Sequence, residues 1–290
     1  MRQFILPEDW DGSPECLVRG GRAKYLGRVL RIGAGDRFVA MDGSGRRWLC
    51  SVLELGSDQE GDLLRLGVEA LPPGTDLAGL RDIRGGRSRT PAAEAPGSEA
   101  PPLPPITLIQ ALPKGAKMDL IVRQAAETGV SRILPLVSRR CLPNAQGEAA
   151  AKRGRWERIA REALQQSGSG IPTRVEAPVL ISALQRALGG TEAAAAEDAP
   201  ARGLRLLLHE TPLAQVSLHE YLTETPVEIA VCVGPEGGFS DDEVAYLGSL
   251  GFHPIHFAGA VLRTETAALF AVAAVEIVLS ERSSWMPKPL

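Results

Sequence analysis

The stretch VCVGPEGGF, Val231 to Phe239, decides how this chain is read. The apolar run of residues 227–233 stops at Gly234-Pro235-Glu236-Gly237-Gly238, and Ser240-Asp241-Asp242-Glu243 then has the form of a capping box opening a helix. Strand, tight turn and helix in that order are the building unit of an α/β sheet. Such a turn stands at the carboxyl end of its strand, where these sheets bind ligands, and three glycines let backbone approach a ligand with no Cβ between.

Working outward, the segment from residue 106 to the last helix alternates strands with helices. Strands are expected at Ile106–Ala111, Arg132–Val137, 173–177, 204–209, 227–233 and 254–257, and helices at 117–128, 148–166, 182–188, 241–250 and 264–280. The first of these helices carries Met118, Ile121, Val122 and Ala125 at helical spacing and is closed by Gly129, and the second carries Trp156, Ile159, Ala160, Ala163 and Leu164. In the last helix Leu269, Val272, Ala273, Glu276 and Ile277 form a stripe read as core, whose small residues also suit close packing on a partner. Strands spaced by helices imply a parallel sheet covered on both faces.

Before this segment the texture differs. Residues 1–72 read as short strands at 3–6, 16–18, Arg37–Met41, 47–55 and 63–70, with one helix at 21–30 whose Tyr25, Leu26, Val29 and Leu30 share a side. That pattern suggests a small β-barrel. Residues 73–105, rich in Pro, Ala, Gly, Glu and Arg, read as a linker, because such a composition cannot bury enough surface to offset chain entropy. The Ala- and Glu-rich residues 189–203 read as a second loose insertion. The domain division expected is therefore 1–72, 73–105 and 106–290.

At 290 residues and 44% apolar composition the chain is long enough for two domains with cores of their own. No apolar run approaches the length of a membrane span and the first ten residues lack the form of a secretion signal, so a cytoplasmic protein without membrane contact is expected. Cys16, Cys50, Cys141 and Cys232 lie far apart with no C-x-x-C pair, which favours buried free thiols over a metal site or disulfides. The net charge of -3 argues only weakly against a nucleic-acid partner. Arg19, Arg22, Lys24, Arg28, Arg31, Arg37, Arg46 and Arg47 crowd the first fifty residues, a distribution that suits phosphate contacts and equally a solvated basic face.

Three loops follow three consecutive strands: Leu208-His209-Glu210, Gly234 to Gly238, and residues 258–266. Together they are more specific than any one of them. They lack G-x-x-x-x-G-K-[ST], no G-x-G-x-x-G follows the first strand, and there is neither a G-x-S-x-G elbow nor H-E-x-x-H. Phosphate-cradling, dinucleotide, hydrolase-triad and zinc readings lose their support.

The strings KGAKMDLIVRQAAETGVSRILPLVSRRC (114–141), WERIAREALQQSG (156–168), LLLHE (206–210), VCVGPEGGFSDDEV (231–244) and VLRTETAALFAVAAVE (261–276), in this order, closely resemble the RsmE family of 16S ribosomal RNA (uracil-N3)-methyltransferases of the SPOUT superfamily. The resemblance implies a C-terminal α/β domain with a deep trefoil knot, a small N-terminal PUA-like β-barrel for RNA, a homodimer, and S-adenosylmethionine as methyl donor. Small-subunit ribosomal RNA, free or assembled, is the implied partner, and the reaction needs no metal.

For the donor, backbone groups of Leu208, Gly234, Gly237 and Leu262 suit adenine and ribose, with apolar walls from Leu208, Leu262 and Ala267. His209, Pro235, Gly238, Thr264 and Thr266 complete the expected cofactor set, the two threonines being equally suited to capping the last helix. Glu236 is either a contact to the ribose or substrate side or a turn carboxylate near a helix start. Arg263 is expected to stabilise charge in the transfer step, with Glu265 orienting it or assisting proton removal; a structural salt bridge between them is the competing reading. RNA contacts are expected from Arg22, Lys24, Lys114, Lys117, Arg123, Arg139 and Arg140, with Arg161 of the same quality. Two positions depart from the family pattern: Ala260 and Ser169 stand where arginines are usual.

Overall fold

The computed structural model describes residues 3–58, 61–71, 80, 103–189, 203–213, 216–259 and 261–281. The expected linker, apart from residues 80 and 103–105, the interior of the Ala/Glu-rich insertion and Ala260 lie outside the described residues. The chain divides into two compact units, Met1–Ala100 with Leu164–Pro172, and Pro101–Ala163 with Thr173–Leu290.

The first unit is a curled five-stranded sheet in the order β1-β3-β4-β5-β2, formed by β1 (Phe4–Ile5), β2 (Glu15–Arg19), β3 (Arg37–Met41), β4 (Arg47–Asp58) and β5 (Gly61–Ala70). All its pairings are antiparallel except β1 with β3. Alternate residues Cys16 and Val18, Phe38 and Ala40, Cys50 and Val52, and Leu64 and Leu66 point into one core with Phe4 and Leu26. The expected helix differs from the spacing rule. It begins as α1 (Gly20–Lys24) and continues as a π-helical turn, Tyr25–Val29, in which the N–H of Leu30 donates to the carbonyl of Tyr25. The wider turn keeps Leu26 buried but swings Val29 out to 62% exposure, so the four residues do not share one face.

The second unit is an all-parallel sheet in the order β12-β10-β11-β6-β7-β8, made of β6 (Ile106–Ala111), β7 (Arg132–Val137), β8 (Arg174–Val175), β10 (Leu204–Leu208), β11 (Ile229–Val233) and β12 (Phe252–Ile255). A short β9 (Val179–Leu180), absent from the sequence reading, lies beyond β8 along β7. Neighbouring residues of each central strand enter different cores. Leu108, Ile133, Leu206 and Val231 pack with α2 (Lys117–Glu127), α3 (Ala145–Ser167) and α7 (Thr264–Glu281). Ile109, Leu134, Leu207 and Cys232 pack instead with Leu184 of α4 (Leu184–Ala187) and Leu247 of α6 (Asp241–Ser249). Both faces are thus covered, which is why the strands read as unbroken apolar runs. A one-turn α5 (Leu218–Tyr221), capped by Ser217, precedes β11.

Two expectations are corrected here. The last strand begins directly after Gly251, two residues earlier than the expected 254–257, because Phe252 and Ile255 are its buried positions. Pro254 is tolerated since β12 is the terminal strand of the sheet. Phe257, freed from the strand, packs edge-on against Phe270 at a centroid distance of 4.8 Å. In α7 the buried stripe is Thr264, Ala268, Ala271, Val272, Val275 and Leu279, so Ile277, expected in the core, is 55% exposed. An almost wholly apolar helix hides its inner face from periodicity.

Candidate functional site

The register brings the three strand ends level: Leu208 lies opposite both Val233 and Ile255, and Val233 opposite Gln110. The loops leaving β10, β11 and β12 therefore diverge from one rim of the sheet and enclose a cavity of about 410 Å3. Its walls include Leu208, His209, Gly234, Pro235, Glu236, Gly238, Leu262, Arg263, Thr264 and Ala267. Of the residues expected to hold a cofactor, Gly237 and Thr266 are not in the walls. Gly237 instead accepts a hydrogen bond on its carbonyl from Arg140, and Thr266 is exposed. The cavity also takes in Glu210 and Val261, from two of the expected ligand loops, and Lys117, Val233, Phe239, His256 and Phe257, which sequence reasoning had not placed there.

Local chemistry fixes the turn. The N–H of Gly238 donates to the carbonyl of Pro235, and Gly238 holds φ at +67°, where an L side chain is strained. A Cβ on Gly234 would stand 3.2 Å from the Cα of Gly238, so the strand end and the turn close on each other through missing side chains. Behind the turn, the N–H of Ser240 donates to Glu243 Oε2, completing the expected capping box. The other oxygen of the buried Glu243 accepts the Arg139 N–H at 2.7 Å, pinning the loop after β7 to the start of α6. The same carboxylate and burial push the Cys232 thiol of β11 upward, burial being the larger cause.

A buried polar relay joins three elements. Gln110, near the end of β6, donates through Nε2 to Thr264 Oγ1 at 3.0 Å and to the Ala111 carbonyl at 2.8 Å. Thr264, the first residue of α7, donates in turn to the carbonyl of Gly234 at 2.6 Å. Gln110 is fully buried and its Oε1 has no hydrogen-bond donor among the described residues. The signal in the sequence was a glutamine within the otherwise apolar ITLIQA.

Glu236 is exposed, but its carboxylate is held by two donors. It accepts from Lys117 Nζ at 2.7 Å and from the Lys114 N–H at 3.1 Å. Burial opposes its charge, but these hydrogen bonds outweigh it and hold the carboxyl below the ordinary glutamate value. Glu265 turns to Lys117, 3.7 Å away, and forms no ion pair with Arg263. The Arg263 guanidinium stands exposed in the cavity wall and makes no ion pair among the described residues. His209 is held within its own loop, its Nδ1 3.0 Å from the Thr211 carbonyl oxygen.

The remaining expected RNA contacts are scattered. Arg22 and Lys24 lie in α1 of the first unit, with Lys24 exposed. In the second unit Arg123 is exposed on α2, and Arg140 lies across the Gly237-Gly238 turn. The Arg139 side chain reaches Asp242 at 3.7 Å, with both groups largely exposed. Ser169 belongs to the first unit, where its N–H donates to Ser167 Oγ and its Oγ accepts from the Ile171 N–H. All four cysteines are free thiols; Cys16, Cys50 and Cys232 are buried, while Cys141 is only half-buried. Burial pushes Cys16 up to about 11 and Cys50 to about 12. Among the described residues no helix is long and apolar enough to cross a membrane, and no cluster of His, Cys, Asp or Glu is arranged to hold a metal ion.

Comparison with known proteins places this geometry. Residues 99–276 match the family model of the RNA methyltransferase domain, and residues 18–60 that of the RNA methyltransferase PUA domain. Ribosomal RNA small subunit methyltransferase E of Synechocystis is 30% identical over 257 residues, covering 88% of this chain and 70% of the relative. The protein of the same name from Mycobacterium tuberculosis is 30% identical over 284 residues, covering 93% and 89%. Among solved structures, a probable rRNA methyltransferase from Porphyromonas gingivalis superposes with a TM-score of 0.69 at 21% identity, covering 97% of this chain and 99% of its own. Ribosomal RNA small subunit methyltransferase E from Neisseria gonorrhoeae, bound to S-adenosyl methionine, gives 0.65 at 23% identity, covering 96% and 98%. These two structures share the fold. The sequence matches these relatives across nearly the whole chain, the parallel sheet with its three-loop cavity falls in the methyltransferase match and the curled sheet carries the PUA match, and the chain belongs to the RNA methyltransferase family of ribosomal RNA small subunit methyltransferase E.

Proposed function

We propose that this chain transfers the methyl group of S-adenosylmethionine to N3 of a uridine in the RNA of the small ribosomal subunit, acting as a homodimer in the cytoplasm. The observation that carries the reading is the cavity at the ends of β10, β11 and β12, where loops rich in backbone donors and acceptors meet the apolar walls of Leu208, Leu262 and Ala267. A volume of about 410 Å3 is in the range of small-molecule sites. Its loops have no lysine of the kind that grips triphosphates, which suits an adenosine without phosphate. The deep trefoil knot implied by the family resemblance belongs to the same proposal.

When bound, the donor supplies a methyl group on a sulfonium; the chain supplies placement and charge. Gly234, Pro235 and Gly238 bring backbone close, with Leu208, His209, Leu262 and Thr264 around them. Uracil N3 is a poor nucleophile while protonated, so the site must stabilise negative charge on the neighbouring oxygens as the proton leaves. Arg263, a cavity-wall guanidinium without an ion-pair partner among the described residues, is the group assigned to that task. Glu265 is not in the walls and acts through Lys117. Arg22, Lys24, Lys114, Arg123, Arg139 and Arg140 are proposed to meet RNA phosphates. Phe270 and Ile277, large apolar side chains about half exposed on α7, support the homodimer, and sedimentation equilibrium giving a monomer would remove it.

Incubation with labelled donor and small-subunit RNA lacking the mark tests the activity. Incorporation as 3-methyluridine is expected; no incorporation leaves an RNA-binding protein of this fold, and label in another nucleoside rejects the uracil assignment. Arg263→Ala is expected to lower kcat by about 10²–10³ with donor affinity nearly unchanged. Equal loss in both would make Arg263 a binding residue.

A further inference from the structure

Lys117 opens α2 in a run with Lys114 and Arg123, and by sequence it belongs to the same basic, RNA-facing group. We propose that Lys117 is instead a positioning residue, tying two walls of the cavity together from within; the inference rests on the donor reading above. Its ammonium stands 2.7 Å from Glu236 Oε1 and 3.7 Å from Glu265 Oε2. Glu236 belongs to the turn after β11, Glu265 to the first turn of α7, and Lys117 to the first turn of α2. One charge thereby connects three elements around the cavity it also lines.

The second contact matters as much as the shorter one. Glu265 Oε2 is buried and has no hydrogen-bond donor among the described residues, so the neighbouring ammonium compensates a carboxylate oxygen otherwise held out of water. The Lys114 N–H gives Glu236 its other partner, leaving that carboxylate little freedom to follow a ligand. A lysine engaged by two carboxylates has its charge offset by the chain's own groups. A phosphate contact needs the opposite, a cation whose charge is available to displace counterions. The Lys114 and Arg123 side chains, which make no ion pair among the described residues, keep that capacity. The raised pKa of Lys117, caused first by the hydrogen bond to Glu236, agrees with the geometry.

The test uses the full chain with Lys117→Met, Lys117→Arg, Glu236→Gln and the double variant Lys117→Met/Glu236→Gln. Calorimetry gives the Kd for S-adenosylmethionine, and filter binding gives the Kd for small-subunit RNA across a salt series. Lys117→Met is expected to weaken donor binding about tenfold, Lys117→Arg to restore it to within about threefold, and the double variant to lose no more than the worse single one. The salt slope of RNA binding is expected to stay at its wild-type value. A slope lowered by about one in Lys117→Met, with donor affinity untouched, overturns the proposal. Should Lys117→Met fail to fold, Glu236→Gln breaks the same tie while keeping the lysine, and wild-type donor affinity there also overturns it. Absence of donor binding in the wild type would sink the methyltransferase reading separately, and the RNA slopes would still decide between an internal lysine and a phosphate contact.

Discussion

Thr264→Val probes the seam between the sheet and the helix that closes the cavity. The substitution keeps a β-branched side chain but deletes a hydroxyl that donates to the Gly234 carbonyl at 2.6 Å and accepts from Gln110 at 3.0 Å. What remains on the carbonyl is a stretched 3.5 Å contact from Gln110, whose amide keeps the Ala111 carbonyl. One buried acceptor is left essentially without a donor, at a cost of about 1–3 kcal/mol. Because Gln110 retains one good partner, the lower part of that range applies, about 1–2 kcal/mol. At about 2–4 °C per kcal/mol this lowers Tm by roughly 2–8 °C. Urea unfolding of Thr264→Val, Gln110→Leu and the double variant measures it directly, with Thr264→Ser as the variant that keeps the hydroxyl. Gln110→Leu also removes the orphaned Oε1, so it is expected to cost less than the loss of a satisfied glutamine, and the pair is expected to be non-additive. Thr264→Val within about 0.5 kcal/mol of wild type, or strict additivity, would show that the relay does not hold α7 to β11.

Asp119→Ala removes the acceptor of Trp156 Nε1 and of two Arg155 bonds. Arg155 is exposed enough for its share to be small, so a loss of about 1–2 kcal/mol in urea unfolding is expected from the orphaned indole N–H. Burial pushes the Glu276 carboxyl up to about 7 from an ordinary 4.5. The folded state therefore holds this proton more tightly, and the associated stability is present below about pH 4.5 and lost as pH rises through about 7. Glu276→Gln is expected to abolish that loss, gaining roughly 1–2 kcal/mol at pH 8 and little at pH 4 after allowance for the solvent-exposed part of the side chain; a pH-independent difference between the two proteins would contradict the assignment.

Much of the architecture could be read before any coordinates, for a physical reason. Strands such as ITLIQA and IAVCV are buried on both faces, so they appear as short apolar runs, and the capping box at Ser240 and the glycine closing α2 mark ends by local chemistry. The π-turn at Tyr25–Val29 was hidden because one extra residue per turn leaves no trace in composition. The site was legible as three loops and illegible as a set of contacts. Lys117, Glu236 and Glu265 look alike in sequence to solvated charges at helix starts, and only the strand order brings them together. The separation of Glu265 from Arg263 has the same origin: closeness in RTE, residues 263–265, says nothing about which wall each side chain joins.

The Gln110–Thr264 hydrogen bond spans 154 residues of chain, which constrains how this protein comes into being. β6 emerges from the ribosome long before α7, and at about 5–20 residues per second many seconds pass between them. The edge of β6 that will receive β11 is unpaired until β11 emerges, and until α7 follows Gln110 has no hydroxyl to meet. A product truncated before residue 264 would carry every strand of the parallel sheet, yet lack Thr264 and Ala267, which complete the cavity wall.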